Sequence, residues 1–115
     1  MSATGTTVSN VADLAWEPTN VAGYEQKWLF KHAGGTYKLV RIQPGARFPL
    51  HRHPDRTEYA YVLEGTLEAT LEGQTVRIAP HGFAEFPAGA EHGLYNPGAE
   101  PTVVQIGAIV EHAAS

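Results

Sequence analysis

The chain has 115 residues, 43% of them hydrophobic, a net charge of −4 with histidines neutral, and no cysteine. A chain of this length can bury about two-thirds of its unfolded surface, so we expect one domain with a packed core. The lack of cysteine excludes disulfides, thiolate metal ligands and cysteine nucleophiles. Because no block of Lys or Arg stands out, nucleic acid is not an expected partner.

The N-terminal segment predicts a flexible extension without a targeting signal. Residues 1–10, MSATGTTVSN, are rich in Ser, Thr and Gly, so we expect them to be flexible and residues 11–115 to form a single domain. The segment lacks the basic start and apolar run of a secretory signal. The most apolar run, residues 103–110, is too short to cross a bilayer. We therefore expect a cytoplasmic protein that does not bind membranes.

Short runs with strand character follow one another along the rest of the chain. In order, they are residues 24–32, 36–43, the run that ends at His51, 58–64, 66–72, 74–79, 83–86, 92–95 and 102–110. Gly, Pro and Asn residues separate them, and no helical period appears. Strands with turn signals every eight to twelve residues or so predict an all-β sandwich or barrel.

Two histidines one residue apart, His51 and His53, stand at the end of one of these strands. In a strand, side chains at i and i+2 point to the same face, roughly 6.5–7 Å apart, so two imidazoles can lean onto one ion. Pro54 ends the strand, and a turn then leads to Glu58 on the returning strand. Imidazole and carboxylate both ligate divalent first-row metals. We predict a metal site with these three ligands and His92 as the fourth.

The same residues resemble the first motif of the cupin family. The spacing Gly45-x5-His51-x-His53-x4-Glu58-x6-Gly65 matches that motif at every fixed position.

A second stretch resembles the second cupin motif. It reads Gly82-x4-Pro87-x-Gly89-x2-His92-x3-Asn96, with four residues rather than the family's usual five between the first glycine and the proline. The two motifs together span residues 45–96, and the chain is therefore identified as resembling a small, single-domain cupin.

The resemblance implies a fold and an assembly. The fold is an all-β double-stranded β-helix, a jelly-roll barrel, which brings His92 to the other three ligands. Cupins commonly dimerise through their outer strands, so a homodimer is implied as well. Four aromatic residues could form that contact or simply pack against the protein's own surface: Trp16, Trp28, Tyr59 and Tyr61.

Residues on the same strands as the ligands are candidates for binding a substrate. Arg47 shares strand parity with His51, so it could face the barrel interior and hold an anionic oxygen by a charge-assisted bond; the alternative is a salt bridge at the rim. Ala60 and Val62 share parity with Glu58. Their small apolar side chains could leave room above the metal or could be plain core.

Other polar residues have weaker signals. Gln105 interrupts an apolar strand and could face the cavity or the outside. His32, His81 and His112 match no motif position, and we expect them at the surface.

Three imidazoles and a carboxylate leave up to two positions free on a six-coordinate ion. Open positions beside His and carboxylate ligands are the arrangement by which non-haem iron binds substrate and dioxygen. Fe(II) is the favoured cofactor, but the ligands alone do not select it, because Mn, Ni, Co, Cu and Zn accept the same ligands. All four ligands, His51, His53, Glu58 and His92, would act in catalysis through the metal.

The favoured hypothesis is a non-haem dioxygenase that cleaves a C–C bond of a diketone-like or aromatic ketone substrate, as do similar one-domain cupins. Residues 13–30, DLAWEPTNVAGYEQKWLF, are also similar to the entry to the cupin domain in acetylacetone-cleaving dioxygenases and ChrR-type anti-sigma factors. The zinc-binding domain of the latter uses His and Cys ligands, and this sequence contains no cysteine, so we do not expect a regulator of that type.

Two alternatives stay open. One is a non-oxidative isomerase, lyase or decarboxylase that acts on a sugar or keto acid. The other is a non-catalytic module that binds a small molecule. The fold does not decide among them, because one superfold hosts many chemistries.

Overall fold

The computed structural model describes residues 8–111. Residues 1–7 of the predicted flexible N-terminus, and His112 with the three residues after it, lie outside the described residues. Within the described range there is no helix with the length and hydropathy needed to cross a membrane.

Within residues 8–111, a three-residue 3-10 helix, Val11–Asp13, precedes ten strands. The strands are β1 (Glu17–Pro18), β2 (Tyr24–His32), β3 (Gly35–Ile42), β4 (Arg47–His51), β5 (Arg56–Glu64), β6 (Leu67–Leu71), β7 (Gln74–Ile78), β8 (Phe83–Phe86), β9 (His92–Tyr95) and β10 (Thr102–Val110). Four of the sequence-predicted strands, now β2, β8, β9 and β10, have the predicted bounds, and most of the others shift by one or two residues at an end. Strand β1 was missed because two residues are too few to show an alternation.

The strands form two antiparallel sheets. One has six strands in the order β1-β2-β3-β10-β5-β8, and the other has four in the order β4-β9-β6-β7. From β3 onward the chain crosses from one sheet to the other after nearly every strand, with the β6–β7 hairpin as the exception. This exchange between two facing sheets is the jelly-roll arrangement. The all-β prediction is confirmed.

The core lies between the sheets and is built from alternate residues of each strand. Val40 and Ile42 on β3, Val62 on β5 and Val104 on β10 are all fully buried. The neighbours of these residues along each strand point to the outer face, as expected for period-two side chains. Leu67 adds a fully buried side chain from the four-stranded sheet, so both layers contribute to one core.

A fully buried asparagine ties the end of β9 to the start of β4. The Asn96 Nδ2 group donates to the carbonyls of Ile42 and Glu100, both at 2.8 Å, and its Oδ1 accepts from the Gly98 amide at 2.9 Å. Its backbone amide donates to the Ala46 carbonyl. These bonds hold the two strands that carry His51 and His92 in register.

The outer face of the six-stranded sheet carries exposed apolar side chains. Phe30, Phe83 and Ile109 are 44%, 59% and 52% exposed, and Tyr59 stacks on Phe83 with ring centroids 6.0 Å apart. Trp28, by contrast, lines an interior cavity and is not on this face. The homodimer stays a prediction.

We expect Asn96→Ala to lower the free energy of unfolding by about 2–4 kcal/mol, because it leaves buried backbone groups without hydrogen-bond partners. Urea denaturation followed by tryptophan fluorescence measures the change. Asn20→Ala, at an exposed position, is the matched control and should change the value by less than about 0.5 kcal/mol. Equal stabilities for the two variants would contradict the role assigned to Asn96.

Candidate metal centre

Four polar side chains meet between the two sheets; three come from three different strands and the fourth comes from a loop. His51 is the last residue of β4, His53 lies two residues beyond it, and His92 is the first residue of β9. Strands β4 and β9 pair directly, with His51 opposite His92. Glu58 reaches the histidines from β5 in the facing sheet. The cluster therefore bridges the two layers.

The three imidazoles face one oxygen of the carboxylate. The Nε2 atom of His92 lies 2.8 Å from Glu58 Oε1, and those of His51 and His53 lie 3.9 and 3.8 Å from the same oxygen. One ligand atom from each of His51, Glu58 and His92 lies within 4.8 Å of the other two, so this trio could hold a metal ion. His53 stands slightly apart, with its ring centroid 6.1 Å from that of His92.

Backbone carbonyls orient two of the rings. The Nδ1 atom of His51 lies 2.9 Å from the Pro49 carbonyl, and that of His92 lies 3.2 Å from the Ala90 carbonyl. An Nδ1–H that donates to a carbonyl leaves the Nε2 lone pair free to ligate a metal. The ring of Phe86 stacks on His92 at a centroid distance of 4.6 Å, which holds that imidazole from a third side.

The electrostatics of the cluster favour an ionised carboxylate. Burial alone would raise the pKa of the Glu58 carboxyl, but the imidazoles of His51 and His92 and the charge of His53 outweigh it and hold that pKa well below its usual range. Glu58 in turn raises the pKa of His51, against the effect of burial. Burial lowers the pKa of His53.

The donor set fits a divalent transition-metal ion. His92 directs both ring nitrogens at acceptors, Nδ1 at a carbonyl and Nε2 at the Glu58 carboxylate. Two lone-pair atoms at 2.8 Å repel each other unless a positive species lies between them, and either a proton or a metal ion meets that requirement. Three imidazole nitrogens and one carboxylate oxygen are ligands that such ions accept.

The loop between β8 and β9 is pinned to the loop that carries His53. The Gly89 amide donates to the His53 carbonyl at 2.8 Å, and the Ala88 amide donates to Thr57 Oγ1 at 3.2 Å. Gly89 has φ of +83°, a conformation that glycine adopts without strain. The shorter spacing in front of Pro87 therefore leaves the approach of His92 to the other ligands intact.

A cavity of about 180 Å³ opens beside the cluster. This volume is below the roughly 300–1,000 Å³ of pockets for drug-sized ligands, so the cavity suits a small molecule. Its wall is partly aromatic and apolar and partly cationic. The lining residues are Tyr24, Trp28, Thr36, Lys38, Phe48, His51, His53, Arg56, Glu58, Phe86, His92, Leu94 and Ile106.

The structure does not bring Arg47 into the cavity. The pairing of β4 with β9 shifts register between Phe48 and His51, and both of those side chains line the cavity. The prediction that Arg47 and His51 face the same side assumed an unbroken strand. The register shift adds one residue to β4 between them, so their side chains face opposite sides. The Arg47 side chain is exposed, with its guanidinium 4.3 Å from the centre of the Tyr95 ring.

The other three substrate-binding candidates also lie away from the cavity lining. Ala60 and Val62 share the inward face with Glu58, as parity predicted, but both are fully buried in the core. Gln105 is half-buried between Val104 and Ile106, which are buried, so it points to the outer face of the sheet.

Sequence reasoning missed two cationic residues of the cavity wall, Lys38 and Arg56. Lys38 had a usable signal, because it alternates in β3 with the buried Val40 and Ile42 and must share their inward face. Arg56 had none. It fell in the predicted turn before Glu58, where parity does not apply, and it faces inward because β5 begins two residues earlier than predicted.

We expect His51→Ala and His53→Ala each to lose most of the bound metal, because each removes one imidazole donor. Elemental analysis after dialysis against metal-free buffer measures the retained metal. His32→Ala is the matched control, since that histidine is exposed at the end of β2. Full metal content in both His51→Ala and His53→Ala would show that these residues are not ligands.

We also expect metal retention to fall as the pH falls below about 6, because protons compete for the imidazole nitrogens, whose ordinary pKa is near 6.5. The raised pKa of His51 moves the onset of this competition upward. The depressed pKa of Glu58 keeps the carboxylate ionised over the same interval. Metal content after equilibration at pH 5 to 8 tests this, and unchanged occupancy at pH 5 would refute it.

Comparison with known proteins places this arrangement in a family. The family described as "Cupin domain" matches residues 38–109, a range that contains all four residues of the cluster and well over half of the chain.

Two curated relatives match part of the same region. Mannose-1-phosphate guanylyltransferase of Klebsiella pneumoniae is 34% identical over 65 residues, which are 56% of this chain and 14% of the relative. Quercetin 2,3-dioxygenase of Bacillus subtilis is 36% identical over 64 residues, 54% of this chain and 19% of the relative. The chain therefore spans less than a fifth of the length of either protein.

A solved structure from Thermotoga maritima, described as a predicted oxalate decarboxylase, superposes with a TM-score of 0.84 at 21% identity, and the match covers 90% of this chain and 99% of the other. At that identity the likeness concerns the fold alone. The narrower similarity to acetylacetone-cleaving and ChrR-type cupins stays a prediction. By its family match, its motifs and its jelly-roll fold, the chain belongs to the cupin family.

Proposed function

We propose that this protein is a metal-dependent enzyme that cleaves a C–C bond of a small, enolisable diketone with dioxygen. The observation that carries the proposal is the convergence of three imidazole Nε2 atoms on the Glu58 carboxylate at the wall of a cavity of about 180 Å³. The quercetin 2,3-dioxygenase relative is an oxidative enzyme by name, which supports the same class of chemistry.

His51, His53, Glu58 and His92 would hold the metal. A divalent transition-metal ion bound there supplies Lewis acidity toward carbonyl oxygens and, when it is redox-active as Fe(II) is, reactivity with dioxygen. The anionic Glu58 would neutralise part of the positive charge of the ion, whereas the neutral imidazoles would not.

The rest of the wall prepares the site for a small substrate. Tyr24, Phe48 and Phe86 line the cavity with aromatic surface that excludes water, and electrostatic interactions are stronger where water is excluded. Burial, with the charge of Glu58 adding to it, raises the pKa of Tyr24. The Tyr24 hydroxyl therefore stays protonated and is available as a hydrogen-bond donor to a substrate oxygen.

The proposed reaction balances without an external reductant. One dioxygen molecule adds across the cleaved bond, so pentane-2,4-dione and dioxygen give acetic acid and 2-oxopropanal. Both oxygen atoms enter the products, and the four electrons that reduce dioxygen come from the substrate carbons.

A second candidate is non-oxidative turnover of a small keto acid, in which the metal acts as a Lewis acid alone. The observation that favours it is the pair of cationic residues, Lys38 and Arg56, in the cavity wall, because cations stabilise a carboxylate-bearing substrate. The fold neighbour described as a predicted oxalate decarboxylase has a non-oxidative activity by name.

We expect the Fe(II)-loaded protein to consume dioxygen with pentane-2,4-dione and to react more slowly with a flavonol, which is too large for the cavity. An oxygen electrode measures the uptake, and His92→Ala should abolish it because that change removes the most buried ligand. Absence of uptake across a panel of diketones and hydroxyacetophenones would end the dioxygenase proposal.

Two further measurements distinguish the dioxygenase proposal from the non-oxidative enzyme and from the binding module. Turnover of a keto acid under strict exclusion of dioxygen supports the second candidate. A rise in melting temperature with a small ligand, without turnover, supports a binding module, because a ligand that binds the folded state alone stabilises it by mass action.

A further inference from the structure

The cavity wall carries more positive than negative charge. Its charged residues apart from the histidines are Lys38, Arg56 and Glu58, and the Glu58 carboxylate is already engaged by three imidazoles. A divalent ion at the cluster adds two further positive charges. A neutral diketone, even as its monoanionic enolate, leaves Lys38 without an anionic partner and Arg56 with Asp55 alone, at 3.8 Å.

Arg56 lines this cavity and is only weakly paired with other side chains. Its Nε atom is buried and makes no hydrogen bond, and it is the one buried side-chain polar atom in that state among residues 8–111. The nearest carboxylate oxygen, Oδ1 of Asp55, lies 3.8 Å away, which is beyond hydrogen-bond distance. Because Nε itself is closed to solvent, an anion that enters the cavity would interact with the accessible part of the Arg56 side chain, which is 40% exposed.

Lys38 also lines the cavity, and the side chains that its ammonium group contacts are uncharged. Its Nζ atom donates to Gln26 Oε1 at 3.1 Å and lies 4.8 Å from the centre of the Trp28 ring. Of the ion pairs formed within residues 8–111, none includes Lys38. Burial lowers the pKa of Lys38, with the charge of Glu58 opposing that effect. The ammonium group is therefore partly stripped of water and gains from an anionic partner.

We propose that Lys38 and Arg56 form an anion subsite in the cavity, so that the substrate carries a carboxylate in addition to the oxygen atoms that it offers to the metal. The substrate class is then a small dioxo acid rather than a neutral diketone. This inference rests on the proposed function in that it places the reacting oxygens at the His51–His53–Glu58–His92 cluster. Lys38 and Arg56 act as specificity-determining residues.

A matched pair of probes tests the subsite by binding alone. Pentane-2,4-dione and 2,4-dioxopentanoate share the diketone unit, and the second carries a carboxylate where the first carries a terminal methyl group. Calorimetric titration of the Zn(II)-loaded protein, without dioxygen, gives Kd for each. We expect 2,4-dioxopentanoate to bind at least about tenfold more tightly, as a charge-assisted pair supplies.

Variants assign the preference to the two cations. Arg56→Gln and Lys38→Gln should each lose most of the preference while binding pentane-2,4-dione nearly as the parent does, and Arg56→Lys should retain part of it. Arg77→Gln is the matched control, because Arg77 is 69% exposed on β7 and lies outside the cavity. Thermal unfolding of each variant identifies any that fails to fold, in which case the remaining substitutions decide.

The outcomes separate this inference from the proposed function. Equal Kd values for the two probes in the parent, or a preference that survives both Gln variants, overturns the anion subsite even if pentane-2,4-dione is cleaved. A preference that the Gln variants remove supports the subsite even if no dioxygen is consumed. If neither probe binds the metal-loaded protein, the subsite is overturned as well.

Discussion

The structure depends on the approach of three imidazoles to one carboxylate oxygen across the gap between two sheets. The Nε2 atoms of His51, His53 and His92 all face Glu58 Oε1, the nearest at 2.8 Å. Burying an anion is unfavourable unless positive or hydrogen-bonding groups compensate it. The half-buried Glu58 carboxylate is therefore stable only with the three histidines beside it. The fold provides this by bringing the ends of β4 and β9 against β5.

Hydrogen bonds around the cluster hold these histidine side chains and their strands in place. The carbonyls of Pro49 and Ala90 orient the rings of His51 and His92. The Gly89 amide, in the loop between β8 and β9, donates to the His53 carbonyl. Asn96 fixes the far end of β9. The contribution of these hydrogen bonds is to set the tautomer and direction of the ligands, which is how outer partners tune a metal site.

Under the proposed function, the cavity beside the cluster would select the substrate on which the four candidate ligands act. Its small volume would limit the size of that substrate. Its aromatic wall excludes water, while Lys38 and Arg56 introduce charge that a purely hydrophobic diketone does not use. The oxidative and non-oxidative candidate functions share the same four proposed ligands, so they would be distinguished by the substrate that the cavity wall accepts.

The sequence by itself determined most of the strands, the fold class and the same-face pair His51 and His53, because the period-two alternation and the HxH spacing are local properties of the chain. His92 was assigned from the resemblance to the second cupin motif, because no local spacing links it to the other three residues. The sequence did not determine the cavity wall. A register shift in β4 turned Arg47 outward and Phe48 inward, and an early start of β5 turned Arg56 inward. Both depend on how each strand pairs with a distant neighbour, so only the tertiary structure decided which side chains face the cluster.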